Sequence, residues 1–266
     1  MEIRLLENDK KNFKLSFVIK DSTAAIVNAV RRNAISKVLT MAIEDVEFRK
    51  NSSVLYDEIV AHRLGLIPLK TDLKSYTLPS KCKCEGKGCA HCQLKLTLKA
   101  KGPAVVYASD IKSKDPKVIP VYPETPIVKL TKGQELELEA TAVLGSGEDH
   151  IKWSPGLVYY KNKPVVEIIK DCENKDEVFK ACPLKIFDLK DGKLTINKDN
   201  LIKCHLCEAC IDICRPKGAI KIEKSNDFIF YVESWGQLSA KEIVEQSLDS
   251  FDDQLDGFTE ALKKAK

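Results

Sequence analysis

The sequence predicts an α+β protein with a mainly β middle and a small cysteine-rich segment after it. Three observations lead to this prediction: period-2 alternation between residues 46 and 165, helical periodicity near both ends, and ten cysteines in two groups. The 266 residues, 44% hydrophobic and 31% charged, describe a globular chain that can bury a sizeable core. At this length we expect about two domains.

Residues 3–20 are predicted to form a β-hairpin. The stretch NFKLSFVIK alternates apolar and polar residues, and NDKKN supplies the turn. Asp21, Ser22 or Thr23 can cap a following helix. The apolar residues of that helix recur at helical spacing and predict its core-facing side: Ile26, Val27, Val30, Ile35, Val38, Leu39 and Ala42.

The middle of the chain is predicted to be rich in strands. LKLTLKAK and ELELEATAV alternate with period 2, as half-buried strands do. The four prolines of SKDPKVIPVYPETPIV predict an extended loop between them. Further on, KIFDLKDGKLTI is typical of two short strands joined by Asp191-Gly192, a type I′ hairpin signal.

The chain ends in a predicted strand, FIFYVES, a break at Gly236, and a long helix that opens with the capping box Ser239–Glu242. The helix is about 36 Å long at about 1.5 Å per residue. Its other faces are acidic and would repel phosphate, so we do not expect it on DNA. An apolar row follows a heptad-type spacing and forms either a core contact within its own domain or a dimer interface: Val244, Leu248, Phe251, Leu255, Phe258 and Leu262.

The run CHLCEACIDIC, from residue 204, has the cysteine spacing that wraps an iron–sulfur cluster in small ferredoxins. The first three cysteines of such a run bind one cluster, and the fourth ligates another. Cys182, in an upstream Cys-Pro pair, is the candidate for the remote fourth ligand. Cys182, Cys204, Cys207 and Cys210 are therefore predicted to hold one [4Fe–4S] cluster, or a [3Fe–4S] form if one ligand does not reach. Zinc and metal-free buried thiols are the alternatives.

Cys172 and Cys214 are left over, and two thiols are too few for a second cubane. They are either free and buried or paired once the protein meets oxidant. The proline that should follow the last cysteine is displaced to Pro216. Since no flavin or nicotinamide motif accompanies the cluster run, a structural role is favoured over electron transfer.

The first cysteine group, CKCEGKGCAHC, combines C-x-C and C-x-x-C across a glycine-containing turn. Four thiolates at this spacing predict a closed, tetrahedral zinc site formed by Cys82, Cys84, Cys89 and Cys92. A closed site leaves no position for water, so catalysis is not expected there. A metal-free loop is the alternative, and a nucleic-acid zinc finger is disfavoured because no helix with a histidine pair follows.

Other features narrow the function classes. The net charge of +4 is too small to indicate nucleic-acid binding by itself. No catalytic triad, phosphate-binding loop or paired-aspartate motif is present in the sequence. The charged opening and the lack of a long apolar run predict a cytoplasmic protein, where ten cysteines indicate metal rather than disulfides.

Four further stretches resemble the signatures of one family. NAVRRNAI at residues 28–35 and HRLGLIPL at residues 62–69 resemble the two signatures of the alpha-type subunits of RNA polymerase. KWSP at residues 152–155 and VESWG at residues 232–236 also match. The order is similar to that of the archaeal branch of this family, the D-type chains, whose counterparts are bacterial alpha and the third-largest eukaryotic subunit. The resemblance covers essentially the whole chain.

This resemblance implies a non-catalytic subunit that forms an assembly platform for the enzyme that transcribes DNA into RNA. Residues 1–45 and 224–266 would form one discontinuous dimerisation domain, whose apolar row packs against the small alpha-like subunit L. Residues 46–166 would be an insert domain with the zinc-type loop, and residues 167–223 a ferredoxin-like domain found in some members. Subunits N and P would complete the platform for the large catalytic subunits, with Arg31 and Arg32 as candidate contacts to a large subunit.

Two other functions compete with this one. An iron–sulfur electron-transfer subunit of an oxidoreductase would have an accessible redox couple and a flavoprotein or ferredoxin partner. A stand-alone DNA-binding regulator would bind DNA with strong salt dependence, which the mild charge and the acidic last helix argue against.

Overall fold

The computed structural model describes residues 1–265, which form two compact units. Unit 1 comprises residues 1–7, 16–27 and 159–231, and unit 2 comprises residues 8–15, 28–158 and those from 232 on. The strands are β1 (Glu2–Asp9), β2 (Lys14–Lys20), β3 (Leu39–Asn51), β4 (Gln93–Lys101), β5 (Ala104–Tyr107), β6 (Lys112–Ser113), β7 (Pro126–Leu130), β8 (Glu135–Ser146), β9 (Gly156–Ile168), β10 (Phe187–Lys190), β11 (Lys193–Ile196) and β12 (Ile220–Ser234). The helices are α1 (Ala24–Ser36), α2 (Asp57–Gly65), α3 (Lys175–Ala181), α4 (Lys198–Leu201), α5 (Ala209–Ile213) and α6 (Ala240–Lys264).

The N-terminal hairpin is confirmed as β1 and β2, and α1 follows it. Thr23 serves as a cap, since its Oγ1 accepts a hydrogen bond from the Ile26 N–H at 3.4 Å. The predicted extension of the helix to Ala42 is wrong, because α1 ends at Ser36 and Leu39 begins β3. The residues after Ser36 pair along β8 instead, with Leu39 opposite Ser146, so ladder hydrogen bonds override the helical spacing.

The main sheet of unit 2 has the order β3-β8-β4-β6, and all its pairs are antiparallel. The predicted strands in LKLTLKAK and ELELEATAV are confirmed as β4 and β8, with Leu96 opposite Ala140. Their in-phase leucines are buried and form much of the core: Leu94, Leu96, Leu98, Leu136 and Leu138. The period-2 pattern therefore marks the face on which this unit packs.

Two features of unit 2 depart from the predictions. The proline-rich segment is a loop as far as Thr125, but its last residues start β7, which pairs with β5. Helix α2 was not predicted, although it buries Val60 and Leu64 in the core. At nine residues it is too short to show a clear helical period beside the strong strand signals.

A second four-stranded sheet has the order β1-β2-β12-β9, with β1 at one edge. The predicted strand FIFYVES is confirmed, but β12 begins earlier, at Ile220. The hairpin of β10 and β11 is confirmed too, with Asp191 (φ 49°) and Gly192 (φ 68°) in the left-handed region that a type I′ turn requires. Helices α3, α4 and α5 are short, and all three lie between β9 and β12 in the chain.

Helix α6 begins at the predicted capping box, since Ser239 Oγ accepts from the Glu242 N–H and the Glu242 carboxylate accepts from the Ser239 N–H. Its 25 residues span about 37 Å. The helix turns Ala240, Ile243 and Ser247 inward. Four members of the apolar row project from the chain: Leu248 (43% exposed), Leu255 (49%), Phe258 (66%) and Leu262 (61%).

Within residues 1–265, none of the helices is both long enough and apolar enough to span a membrane.

Candidate metal centres

The first cysteine group forms a compact cluster of sulfur atoms, the four-thiol loop, in the segment between the short helical turn Pro79–Lys81 and β4. Its four ligand atoms all lie within 4.8 Å of one another: Cys82, Cys84, Cys89 and Cys92. The Sγ atoms are 3.5 Å apart for Cys82 and Cys89, 3.5 Å for Cys84 and Cys92, and 3.9 Å for Cys89 and Cys92. A tetrahedron with metal–sulfur bonds of about 2.3 Å has edges of about 3.8 Å, so these thiols already stand at zinc-ligand distances.

Glycines give this loop its shape. Gly86 (φ 78°) and Gly88 (φ 85°) are in the left-handed region, which turns the chain back between the two cysteine pairs. A Cβ on Gly88 would also lie 2.6 Å from Oε1 of Gln93. His91 is exposed and lies outside the thiol group, so it is not needed as a ligand.

Hydrogen bonds and burial shift the thiol pKa values of the loop in opposite directions. The N–H of Cys84, donating to Cys82, lowers the pKa of the Cys82 thiol to about 6. Burial raises the pKa of Cys92 to about 12. The Cys89 N–H also donates to the Cys92 sulfur at 3.3 Å. Such N–H bonds stabilise thiolates, the form that binds metal.

The four-thiol loop can therefore bind a metal ion with sulfur ligands only. A closed set of four thiolates fits structural zinc better than a catalytic site, which keeps one position open. In the described part of the chain, no other group of three or more Cys, His, Asp or Glu side chains brings its ligand atoms so close.

The second set is arranged differently. All four predicted cluster ligands line one pocket of unit 1, the four-thiol pocket: Cys182, Cys204, Cys207 and Cys210. Pro183, Leu184, Ile186 and Ile222 contribute apolar walls. In the described part of the chain, no three of these four sulfur atoms lie within 4.8 Å of one another, as those of the four-thiol loop do. A cluster, whose irons and sulfides stand between the ligands, needs wider spacing than a single ion.

Within the cysteine run of the four-thiol pocket, the backbone is bent at two residues that are not glycine. Leu206 (φ 60°) and Glu208 (φ 62°) are left-handed, one on each side of Cys207. Each such residue costs about 1–2 kcal/mol. Alternation of left- and right-handed residues points successive N–H groups inward and makes the anion-binding concavities found at iron–sulfur sites. The bends thus fit a negatively charged group held by the three cysteines of the run.

Burial has the largest effect on the pKa values of Cys204 and Cys210. It raises the pKa of Cys204, whereas a hydrogen bond donated by the Leu206 N–H lowers it. It also raises the pKa of Cys210 to about 11, and negative charge on Cys182 and Cys204 acts in the same direction. Cys207 is the exposed member of the set. The donors and their surroundings fit a thiolate-bound cluster, in which iron would keep all four thiols deprotonated.

Cys172 and Cys214 are bonded to each other in a disulfide, with their Cα atoms 5.9 Å apart. Both are buried in the same apolar cluster as Cys204 and Cys210. The leftover pair is thus a cross-link rather than two free thiols, which sequence reasoning had left open.

The candidate large-subunit contacts lie on α1. Arg32 is exposed, whereas Arg31 is half-buried and donates from Nε to Oδ1 of Asn28 at 3.0 Å. Both arginines line a groove of unit 2 together with Phe251 and Gln254 of α6. Nε2 of Gln254 donates to Oδ1 of Asn33 at 3.2 Å, which links α6 to α1.

The KWSP motif is part of the packing of unit 2. Trp153 Nε1 donates to the Val143 carbonyl at 3.2 Å, and its ring covers Gly145, where a Cβ would lie 2.4 Å away. The Lys152 ammonium pairs with Glu44 and lies 4.4 Å from the Trp153 ring centroid. The motif therefore stabilises the fold and contributes no catalytic group.

Comparison with known proteins identifies the family. The chain is 43% identical to the DNA-directed RNA polymerase subunit Rpo3 of Methanosarcina mazei, over 91% of each chain. It is 36% identical to the subunit of the same name from Pyrococcus furiosus, over 99% of this chain and 98% of the other. The chain belongs to the Rpo3 family of archaeal RNA polymerase subunits.

A family model described as the RNA polymerase Rpb3/RpoA insert domain also matches, at residues 43–159. Another Rpo3 protein, from Methanosarcina acetivorans, is 41% identical over 92% of this chain and 91% of its own. Membership of the Rpo3 family confirms the resemblance to alpha-type subunits and the expectation that the chain is a subunit of DNA-directed RNA polymerase, a nucleotidyltransferase. The predicted combination of helices with a mainly β middle is confirmed as well.

One residue that bears on the four-thiol pocket was missed by sequence reasoning. Lys161, on β9, donates from Nζ to the carbonyl oxygens of Ile202 at 2.7 Å and Cys204 at 3.0 Å. Burial lowers its pKa, and negative charge on Cys204 acts in the opposite direction. No spacing rule links a lysine on a strand to a cysteine 43 residues later, so only the fold brings them together.

Proposed function

We propose that this chain is the non-catalytic, D-type platform on which an archaeal RNA polymerase is assembled in the cytoplasm. In this proposal it forms a heterodimer with the small alpha-like subunit L. Subunits N and P join the platform, and the two large subunits, which hold the active site, assemble on it. Family membership over more than nine-tenths of the chain supports the proposal.

The exposed apolar row of α6 carries the proposal of a dimer interface. A contiguous apolar surface at heptad spacing is rarely left in water by a monomer. Burial of one such side chain stabilises a complex by about 1.5–3 kcal/mol, so the four exposed members would contribute on the order of 6 kcal/mol before the cost of association. Val244 and Phe251, which are half-buried, would form the inner part of the same interface.

The domains follow the family pattern in this proposal. Residues 1–45 and 224–266 form the dimerisation domain, residues 46–166 the insert domain, and residues 167–223 a ferredoxin-like domain. The four-thiol loop holds one Zn²⁺, and the four-thiol pocket holds one [4Fe–4S] cluster, or a [3Fe–4S] form. The zinc would cross-link its loop, and the cluster would keep the small domain folded or make assembly sensitive to iron and oxygen.

Arg32 is the stronger of the two candidate contacts to a large subunit, because its side chain is exposed and has no ion-pair partner among residues 1–265. Arg31 lies beside it, with its Nε already bound to Asn28. Replacement of Arg32 by alanine is expected to weaken incorporation of a large subunit while leaving the heterodimer with subunit L intact. Co-purification of the assembled complex from the native host would measure both.

The dimer interface is tested with the double substitution Leu255→Glu and Phe258→Glu. Two buried apolar contacts would be replaced by charges, so binding of co-produced subunit L should weaken by at least about 100-fold. The matched control is Asp256→Asn, which changes an exposed residue of the same helix between the two sites. Circular dichroism of each variant reports whether α6 still forms.

Wild-type-like binding by the folded double variant would contradict the interface. Recovery of a flavoprotein in place of polymerase subunits, from the native host under anaerobic conditions, would instead favour the electron-transfer function. Iron, sulfide and zinc analysis on the same sample would test the two metal centres independently of the partner.

A further inference from the structure

Lys161 is a half-buried cation whose partners are backbone carbonyls. Its ammonium donates to the oxygens of Ile202 and Cys204, at 2.7 Å and 3.0 Å. No carboxylate among residues 1–265 lies within ion-pair distance of it, whereas Lys163, on the same strand, pairs with Asp227 at 2.9 Å. A buried charge normally requires a compensating charge nearby.

The position of Lys161 relates it to the four-thiol pocket. Cys204 is the first cysteine of the ligand run and lines that pocket. The segment from Ile202 to Cys204 leaves α4 as a turn, in which the Lys203 and Cys204 N–H groups donate to the carbonyls of Asn200 and Leu201. Lys161 reaches that segment from β9, a strand of 13 residues that gives it a rigid base. The ring of Tyr231, on the neighbouring strand β12, lies 6.0 Å from the ammonium.

A cluster bound by four thiolates carries net negative charge, and one electron added to it makes the charge more negative. The reduction potential of such a cluster depends on nearby charge, hydrogen bonds and exposure. The ammonium would supply the positive charge that the burial of both groups requires. In addition, hydrogen bonds from outside the ligand set orient the ligands and strengthen metal binding.

We propose that Lys161 is a positioning residue for the cluster. It fixes the Ile202–Cys204 segment and places a positive charge beside the first ligand of the run, which favours the reduced cluster and slows cluster loss. This inference rests on the proposed cluster in the four-thiol pocket and deepens that assignment.

The test uses the full-length chain, purified without oxygen, and three substitutions at one site. Lys161→Met keeps the length of the side chain but removes its charge and hydrogen bonds. Lys161→Gln keeps a donor without the charge, and Lys161→Arg keeps both. Lys163→Met is the matched control, because Lys163 is two residues away on β9 and pairs with Asp227 instead.

Two properties are measured for each protein. One is the midpoint potential at which the cluster takes up one electron from an electrode. The other is the rate at which a chelator bleaches the cluster absorbance. We expect a more negative potential and cluster loss faster by about 10-fold or more in Lys161→Met. Lys161→Arg should restore both values toward wild type, Lys161→Gln should restore only the rate, and Lys163→Met should change neither.

A wild-type protein without iron and sulfide would overturn the proposed cluster and this inference together. A wild-type protein that holds the cluster, with Lys161→Met unchanged in both measurements, would overturn the role of Lys161 alone. If Lys161→Met does not fold, Lys161→Gln and Lys161→Arg decide: equal potentials in the two would contradict an effect of charge.

Discussion

The four-thiol loop and the four-thiol pocket contain the same number of cysteines but are organised in different ways. The loop places its thiols within one stretch of 11 residues, and their four sulfur atoms all lie within 4.8 Å of one another. The pocket takes one cysteine from the end of α3 and three from a run that begins 22 residues later. A short stretch can hold a single ion by itself, whereas a wider site depends on the packing of several elements.

The two sites are stabilised in different ways. The loop turns back at Gly86 and Gly88, where a positive φ costs little, and at one residue that is not glycine, Glu85 (φ 54°). The pocket bends at two residues that are not glycine, Leu206 and Glu208, which costs energy that its surroundings must offset. Around the pocket, a disulfide, an apolar cluster and Lys161 supply that support.

Loss of one thiol from the loop should abolish its metal site alone. Binding of structural zinc to four ligands contributes about 10–16 kcal/mol, most of which needs the complete set. Cys84→Ser should therefore reduce zinc from about one per chain to nearly none, with iron unchanged, by elemental analysis. His91→Ala is the control and should retain zinc. Zinc retained at the wild-type level in Cys84→Ser would show that the loop is not the site.

Loss of one thiol from the pocket should change the cluster without emptying the loop. Cys207 is the exposed member of the proposed ligand set, so Cys207→Ser should disturb the fold least. Iron should fall from about four per chain to about three or fewer, because a [3Fe–4S] form needs only three thiolates. Iron analysis and electron paramagnetic resonance measure this, and zinc content serves as the internal control. Unchanged iron would remove Cys207 from the ligand set.

The disulfide should stabilise the region of the pocket and not the loop. It closes a loop between residues 42 positions apart, which corresponds to about 4 kcal/mol in the chain-entropy description. The double substitution Cys172→Ala and Cys214→Ala should lower the free energy of unfolding by about this amount in urea titrations of the metal-free chain. Reductant should destabilise the wild type equally and leave the variant unaffected. If reductant left the free energy of unfolding of the wild type unchanged, the prediction would be contradicted.

Zinc affinity of the loop should fall as the pH falls, because zinc displaces protons from thiols. The pKa of Cys92 is raised to about 12, so this thiol releases a proton on binding throughout the accessible range. The pKa of Cys82 is lowered to about 6, so it is a thiolate above that pH and contributes a released proton only below it. The decline should therefore steepen below pH about 6, as measured by chelator competition. A constant slope through that region would contradict the assigned shift.

Backbone substitutions should have the smallest effects and opposite signs in the two sites. Gly88→Ala places a Cβ at φ 85°, which should cost about 1 kcal/mol, or about fivefold in zinc affinity. Glu208→Gly relieves a left-handed residue and should leave the stability unchanged or raise it by up to about 1 kcal/mol. Lys87→Ala is a neutral control in the loop. Destabilisation by Glu208→Gly would show that its side chain matters more than its backbone.

Strong local patterns were enough to predict much of the fold. The alternation around Leu96 and Leu138 identified two core strands, Asp191-Gly192 identified a hairpin, and Ser239 with Glu242 identified the start of α6. These signals depend on residues that are neighbours in the chain. The spacing of the cysteines in the loop is of the same kind, which is why its four thiols were predicted together.

Competing periodicities and long-range contacts could not be resolved in the same way. The apolar residues up to Ala42 suited a helix, but pairing of β3 with β8 placed that residue in a strand. The sequence showed the apolar row of α6, yet only the tertiary structure shows that Leu255 and Phe258 project while Ile243 is buried. A helix exposes whichever face the rest of the chain does not cover, and that depends on contacts between distant segments.

The residue types that can bind metal, their spacing, several of the strands and the start of α6 could all be predicted from the sequence. The tertiary structure decided how Cys182 joins the run at Cys204, that Cys172 bonds to Cys214, and that Lys161 supports the pocket. The physical reason is the range of the interactions. Turns, caps and closely spaced ligands act over a few residues, whereas burial and charge compensation act between segments that only folding brings together.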